Sequence, residues 1–212
     1  MTTLSSLKDL FSDNLKTLQK SPFYYVGLKF FQLGILFLAG APAISFFLLV
    51  ISSFIGSFNR SNNFFNDKFN FPLILVAILM LLNCLIITFF KKDLQSYEIS
   101  KIWIGLSNWI PFFWCFWGFQ PFLKNQHLRI KTAQLFILGS LPVLISGFNQ
   151  YFLQNYGPYY FFNNLIIWYQ RPLDSNNAVT GLFNNQNYAG AWLGIIFPLC
   201  LVFLLRKKNN RF

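Results

Sequence analysis

The sequence predicts an all-α fold, a polytopic bundle of about five transmembrane helices, and three observations carry that expectation. Of the 212 residues, 55% are apolar and 21% aromatic, while only 11% are charged. A soluble domain carries about 25% charged residues because its surface must meet water. The mean hydropathy is +0.45. The charges, 17 Lys and Arg against 6 Asp and Glu, fall in short clusters between apolar runs, where a polytopic protein keeps its cations. No basic stripe with interleaved aromatics lies outside those runs, which argues against a nucleic-acid partner. Twenty-nine phenylalanines exclude a disordered chain. The three cysteines, Cys84, Cys115 and Cys200, each sit inside an apolar run without CxxC or Cys/His spacing. They read as small buried hydrophobes rather than as disulfides or metal ligands.

Residues 1–22 are polar, with Leu4, Leu7, Leu10, Phe11, Leu15 and Leu18 at steps of three and four. That spacing puts them on one face of an interfacial amphipathic helix; a frayed polar N-terminus is the alternative. The first long apolar run extends from Pro22 to Phe58 and carries Lys29 near its start. A lysine at mid-bilayer costs about 2.5–3.5 kcal/mol, so the expected span runs from about Gln32 to Phe54, kinked at Pro42; an overlong or tilted helix is the alternative. The second span, Phe71 to Phe90, has the length that about 30 Å of hydrocarbon requires. Asn83 near its centre would seek a partner helix for packing. Ile102 to Leu123 forms the third span, with Trp103, Trp109, Trp114 and Trp117. Trp114 and Trp117 lie too deep to be interface-belt residues alone; they either stack on a ligand or fill space, and packing is the simpler account. His127 stands among cations with no carboxylate to orient it, which argues against a catalytic role. A fourth span covers Thr132 to Phe148. A fifth covers Ala189 to Leu205, with Gly190 and Gly194 in a small-xxx-small pattern suited to close helix contact.

Between the last two spans, Asn149 to Tyr188 is rich in Asn, Gln, Tyr and Phe, with Arg171 and Asp174 as its only charges. Loops this long are functional or disordered, and this one is too aromatic for disorder. Within it, residues 159–169 are apolar enough to lie in the interface or to dip into the bilayer as a re-entrant piece. The loop holds one cation, whereas Arg206, Lys207, Lys208 and Arg211 follow the last span. The positive-inside rule therefore puts the C-terminus in the cytoplasm and the loop outside. With five spans, cations summed over alternate loops divide almost evenly between the two sides. That balance leaves two alternatives open: a peripheral N-terminal segment, or a sixth crossing within the 22–58 run or near 151–170.

The chemistry-bearing stretch is Trp168-Tyr169-Gln170-Arg171-Pro172-Leu173, followed by Gly181-Leu182-Phe183-Asn184-Asn185-Gln186-Asn187-Tyr188. Carboxamides both donate and accept, which suits sugar hydroxyls and phosphate oxygens. A guanidinium fork fits a phosphate or diphosphate. Alternatively, these groups cap helices and form turns. The segment from Gly181 to Leu193, with Arg171-Pro172 upstream, resembles the signature region of the O-antigen ligase and polysaccharide polymerase superfamily, in which a Gly-x-Phe-x-Asn-x-Asn element enters a transmembrane helix. Gln186 stands where many members have proline. The likeness is closer to a cyanobacterial branch, some of whose members are labelled bicarbonate-transporter-like.

The resemblance implies a multi-pass inner (plasma) membrane protein that transfers glycan from a polyprenyl-diphosphate carrier in surface-polysaccharide biosynthesis, without metal or cofactor. It implies contact of Arg171 with the donor diphosphate, shaping of the site by Gly181, Asn185 and Asn187, and a lining role for Tyr188. No general base is nominated, since Asp174, His127 and Glu98 match no motif. Family members are longer and carry further catalytic residues in a later periplasmic loop. The chain is therefore expected to match the N-terminal half of such an enzyme, incomplete as a catalyst alone and partnered by membrane lipid, the glycan carrier and a separately encoded C-terminal half. The alternatives are a protein of inorganic-carbon uptake and a non-catalytic membrane scaffold.

Overall fold

The computed structural model describes residues 22–58, 64–90, 96–173 and 178–209. The interfacial helix expected over 1–22, and Asp174, therefore lie outside the described residues, Pro22 excepted. The helices are α1 (Pro22–Phe37), α2 (Pro42–Phe58), α3 (Phe71–Phe90), α4 (Ser96–Phe119), α5 (Gln126–Leu138), α6 (Leu141–Phe152) and α7 (Gln186–Asn209), and a strand pair, β1 (Tyr159–Phe161) and β2 (Ile166–Trp168), precedes α7. The all-α expectation holds, since the short hairpin is the only sheet among the described residues.

Three helical stretches are long and apolar enough to cross a membrane: Lys68–Phe90, Gln126–Phe152 and Gln186–Leu205. They contain the second, fourth and fifth expected spans. α4 has the length but is diluted by Lys101, Asn108 and Pro111. α2 is apolar but has only 17 residues, about 25 Å at 1.5 Å per residue.

The 22–58 run departs from expectation. Instead of one helix kinked at Pro42, α1 stops at Phe37, the chain turns through residues 38–41, and α2 begins with Pro42. Proline at the first helical position costs nothing, because its missing N–H would have had no partner there. The two helices run antiparallel. Ser45 Oγ donates to Gly34 O at 2.7 Å and Ser52 Oγ to Gly27 O at 2.9 Å. Gly34 leaves room for Leu49, whose Cδ2 lies 2.7 Å from where a Cβ would stand.

The described residues form two compact units. One holds residues up to Leu28 and from Ile51 to Pro121. Here α3 pairs with α4: Trp103 Nε1 donates to Thr88 Oγ1 at 3.1 Å, and Thr88 Oγ1 donates to Cys84 O at 2.7 Å. Cys84 is buried, whereas Asn83 is exposed, so no described helix of this chain receives the amide expected to seek a partner. Trp117 is buried with its ring 5.7 Å from that of Phe64, and Trp114 sits 6.1 Å from Phe54, so both indoles fill space. Gly118 allows the approach of Ser53, whose carbonyl lies 2.5 Å from a would-be Cβ.

The second unit holds Lys29–Val50 and the chain from Phe122 onward. α5 and α6 meet at Gly139-Ser140, where Gly139 packs on the backbone of Leu36, its would-be Cβ 2.4 Å from that carbonyl. Ala39, Val143 and Leu182 form a core, with Trp168, Phe183 and Trp192 packed around it. Trp192 stacks on Phe136 at 5.0 Å and donates to Ser140 Oγ at 3.0 Å. Gly190 and Gly194 have nothing within 4 Å of a would-be Cβ, so the expected small-residue contact is not made among the described residues.

Candidate functional site: an amide rim beside an apolar groove

The segment between α6 and α7 is held by two buried glutamines. Gln150, in the last turn of α6, is fully buried, and all four of its hydrogen-bonding positions are used. Its Nε2 donates to Arg171 O at 2.5 Å and to Thr180 Oγ1 at 3.2 Å. Its Oε1 accepts from the backbone N–H of Thr180 at 3.0 Å and of Gly181 at 2.9 Å. A carboxamide offers two donors and two acceptor lone pairs, so a single side chain replaces the ladder that this irregular backbone lacks. Gln170, 1% exposed, does the same on the other side. Its Oε1 accepts from Ser146 Oγ at 2.6 Å and its Nε2 donates to Asn155 O at 2.7 Å.

These bonds fix the predicted residues in turn. The backbone N–H of Arg171 donates to Thr180 Oγ1 at 3.2 Å, and its carbonyl is held by Gln150. The backbone of Arg171 is thus clamped on both sides while the residue remains exposed. Gly181 is buried at φ +56°, a left-handed conformation that side-chain-bearing residues resist. A Cβ there would lie 3.3 Å from Val143 O. Asn185 caps α7, its Oδ1 accepting from Asn187 N at 2.8 Å, the N2 amide that an N-cap side chain satisfies. Asn187 and Tyr188 are both exposed on the first turn. Upstream, Trp168 Nε1 donates to Gly40 O at 2.8 Å. In the Trp-x-Gln-Arg element, then, Trp168 and Gln170 are anchors and Arg171 is what they present.

Beside the rim lies an open groove of about 580 Å³. Leu144, Gly147, Phe148, Phe152, Val179 and Leu193 line it with apolar surface, and Gln186 and Asn187 add carboxamides. Gly181, Asn187 and the α7 cap thus belong to one assembly with the groove, while Arg171 joins through Thr180. His127 lies elsewhere, exposed in the first turn of α5. Among the described residues no three of His, Cys, Asp and Glu come together as metal ligands would. Gln150, Thr180 and Ser146 escaped sequence reasoning. A lone Gln or Ser in an amphipathic helix carries no motif, and only its burial in the folded chain singles out Gln150.

Comparison with known proteins yields no match of the chain to a protein-family model, a curated protein or a solved structure.

Proposed function

We propose that this chain is an O-antigen ligase- or polymerase-like protein of the plasma (inner) membrane, handling a glycan carried on a polyprenyl diphosphate. One arrangement supports the reading: a single guanidinium on a clamped backbone, within a carboxamide-rich loop that borders an open apolar groove. The groove suits an isoprenoid tail, the arginine fork a diphosphate, and the exposed Asn187 and Tyr188 a sugar. The first turn of α7 adds backbone N–H groups and the positive end of a helix dipole, which favour phosphate.

The same reading gives the chain an even number of passes with both ends in the cytoplasm. α1 and α2 go out and back, so they return the chain to its starting side. α3, α4, the α5–α6 stretch and α7 then cross in succession. This path leaves only Lys91, Lys92, Lys101 and Arg171 outside, sets Lys29 midway along α1, and gathers the remaining Lys and Arg at the cytoplasmic side. It satisfies the positive-inside rule where a five-span path divides the cations almost evenly.

Complementation of a deletion strain tests the assignment. Arg171→Ala is expected to reduce the amount or length of surface glycan at unchanged protein level, with Arg171→Lys intermediate because an ammonium keeps the charge but loses the fork. Normal glycan from Arg171→Ala refutes the diphosphate role, and normal glycan in the deletion strain together with lost uptake of labelled bicarbonate favours the carbon-uptake reading.

A further inference from the structure

We infer that the β1–β2 hairpin is a membrane-interface anchor whose tip, Phe162 to Leu165, beds into the lipid headgroup and upper acyl layer. The inference rests on the chain being membrane-spanning and is independent of the glycan-transfer reading. The strands pair antiparallel, Tyr159 opposite Trp168 and Phe161 opposite Ile166. At the tip, Phe162, Asn163 and Asn164 have φ of +52°, +52° and +68°, and Leu165 N donates to Phe162 O at 3.1 Å. Asparagine tolerates the left-handed region, but phenylalanine rarely enters it.

This conformation holds the Phe162 ring 77% exposed, with Leu165 47% and Tyr160 59% exposed beside it. Among the described residues nothing covers this apolar surface, and burial in lipid would offset both its exposure and the backbone strain. The position is right as well. The hairpin root is tied to the second unit by Tyr169 N to Leu182 O at 3.0 Å and by Trp168 Nε1 to Gly40 O. It follows Phe152, the end of one apolar stretch, and precedes Gln186, the start of another. Three residues per strand reach about 10 Å, and the interfacial layer on each side of the hydrocarbon is about 5–7 Å thick. From Tyr151 to Gln170 there is no charged residue, while Tyr151, Tyr156, Tyr159, Tyr160, Trp168 and Tyr169 supply the amphipathic rings that favour this layer. A surface built to meet water, or to bind glycan through solvated rings, has no need of a strained phenylalanine at its most prominent point.

Spin labels placed singly at Phe162→Cys, Leu165→Cys and Asn184→Cys, with the three native cysteines replaced, test this in lipid nanodiscs by accessibility to oxygen and to a water-soluble nickel chelate. Labels at 162 and 165 are expected to give an oxygen-to-nickel ratio several-fold above that at 184, and to lose the excess in a short-chain detergent. Equal ratios at all three sites overturn the inference. So does a tip that is nickel-accessible in the bilayer and becomes protected only when oligosaccharide is added. Because all three sites are exposed, labelling leaves the packed residues untouched. A functional defect of Arg171→Ala would leave the result unchanged.

Discussion

Replacing Gln150 by leucine keeps the side-chain bulk on α6 and removes every polar contact that the residue makes. The N–H groups of Thr180 and Gly181 then lose their acceptor, and both residues are buried. Arg171 is exposed, so its carbonyl can turn to water. An orphaned buried donor costs about 1–3 kcal/mol, so the two together cost about 2–6 kcal/mol of local stability. Each 1.4 kcal/mol is a tenfold change in an equilibrium constant, which corresponds to roughly 30-fold to 10⁴-fold faster amide exchange. Hydrogen–deuterium exchange of the detergent-solubilised protein should therefore show peptides covering 178–183 losing protection by that factor, with α3 unaffected. Gln150→Glu keeps acceptor oxygens for the two amides and should lose less. Unchanged exchange over 178–183 in Gln150→Leu would refute the claim that this glutamine holds the rim.

The glycines give two further expectations. Gly181→Ala places a Cβ on a residue at φ +56° and close to Val143 O, which should cost about 1–2 kcal/mol and lower the melting temperature in calorimetry; an unchanged transition would show that the turn is not formed as described. Gly139→Ala drives a Cβ against the backbone of Leu36, which cannot rotate away, and should destabilise by about 1–3 kcal/mol. Gly190→Ala, with open space around it, should be neutral or gain up to about 1 kcal/mol from helix propensity. Chemical denaturation of the two variants side by side would expose an error if their order were reversed.

The long helices were legible because each apolar run ends in polar or cationic residues: Lys91 follows α3, and Arg206 ends the apolar run of α7 although the helix continues to Asn209. The turn at 38–41 was not, because Leu38, Ala39, Gly40 and Ala41 are as apolar as the helices they separate. Hydropathy cannot mark a reversal made entirely of small and apolar residues, and Pro42, read as a kink, is in fact a helix start. The serines that seal the pair, Ser45 and Ser52, look like incidental polar residues until their carbonyl partners are seen. At the rim, the Asn185 cap and the Gly181 turn follow from local chemistry that sequence spacing reports well. The clamp on Arg171 does not, since Gln150 acts across 21 and 30 residues of chain and nothing in its neighbourhood announces it. The hairpin was hidden for a related reason. Residues 159–162 and 165–169 are apolar or aromatic without alternation, so no period-2 pattern marks the strands.

Glycan transfer at this site requires the rim to face outward from the cytoplasm. With Cys84, Cys115 and Cys200 replaced and Arg171→Cys introduced, labelling of intact cells by a membrane-impermeant maleimide tests it directly. Strong labelling at 171 from outside, with Lys208→Cys labelled only after the membrane is permeabilised, is the predicted result. Labelling at 171 that requires permeabilisation would put the rim in the cytoplasm and contradict glycan transfer at this site.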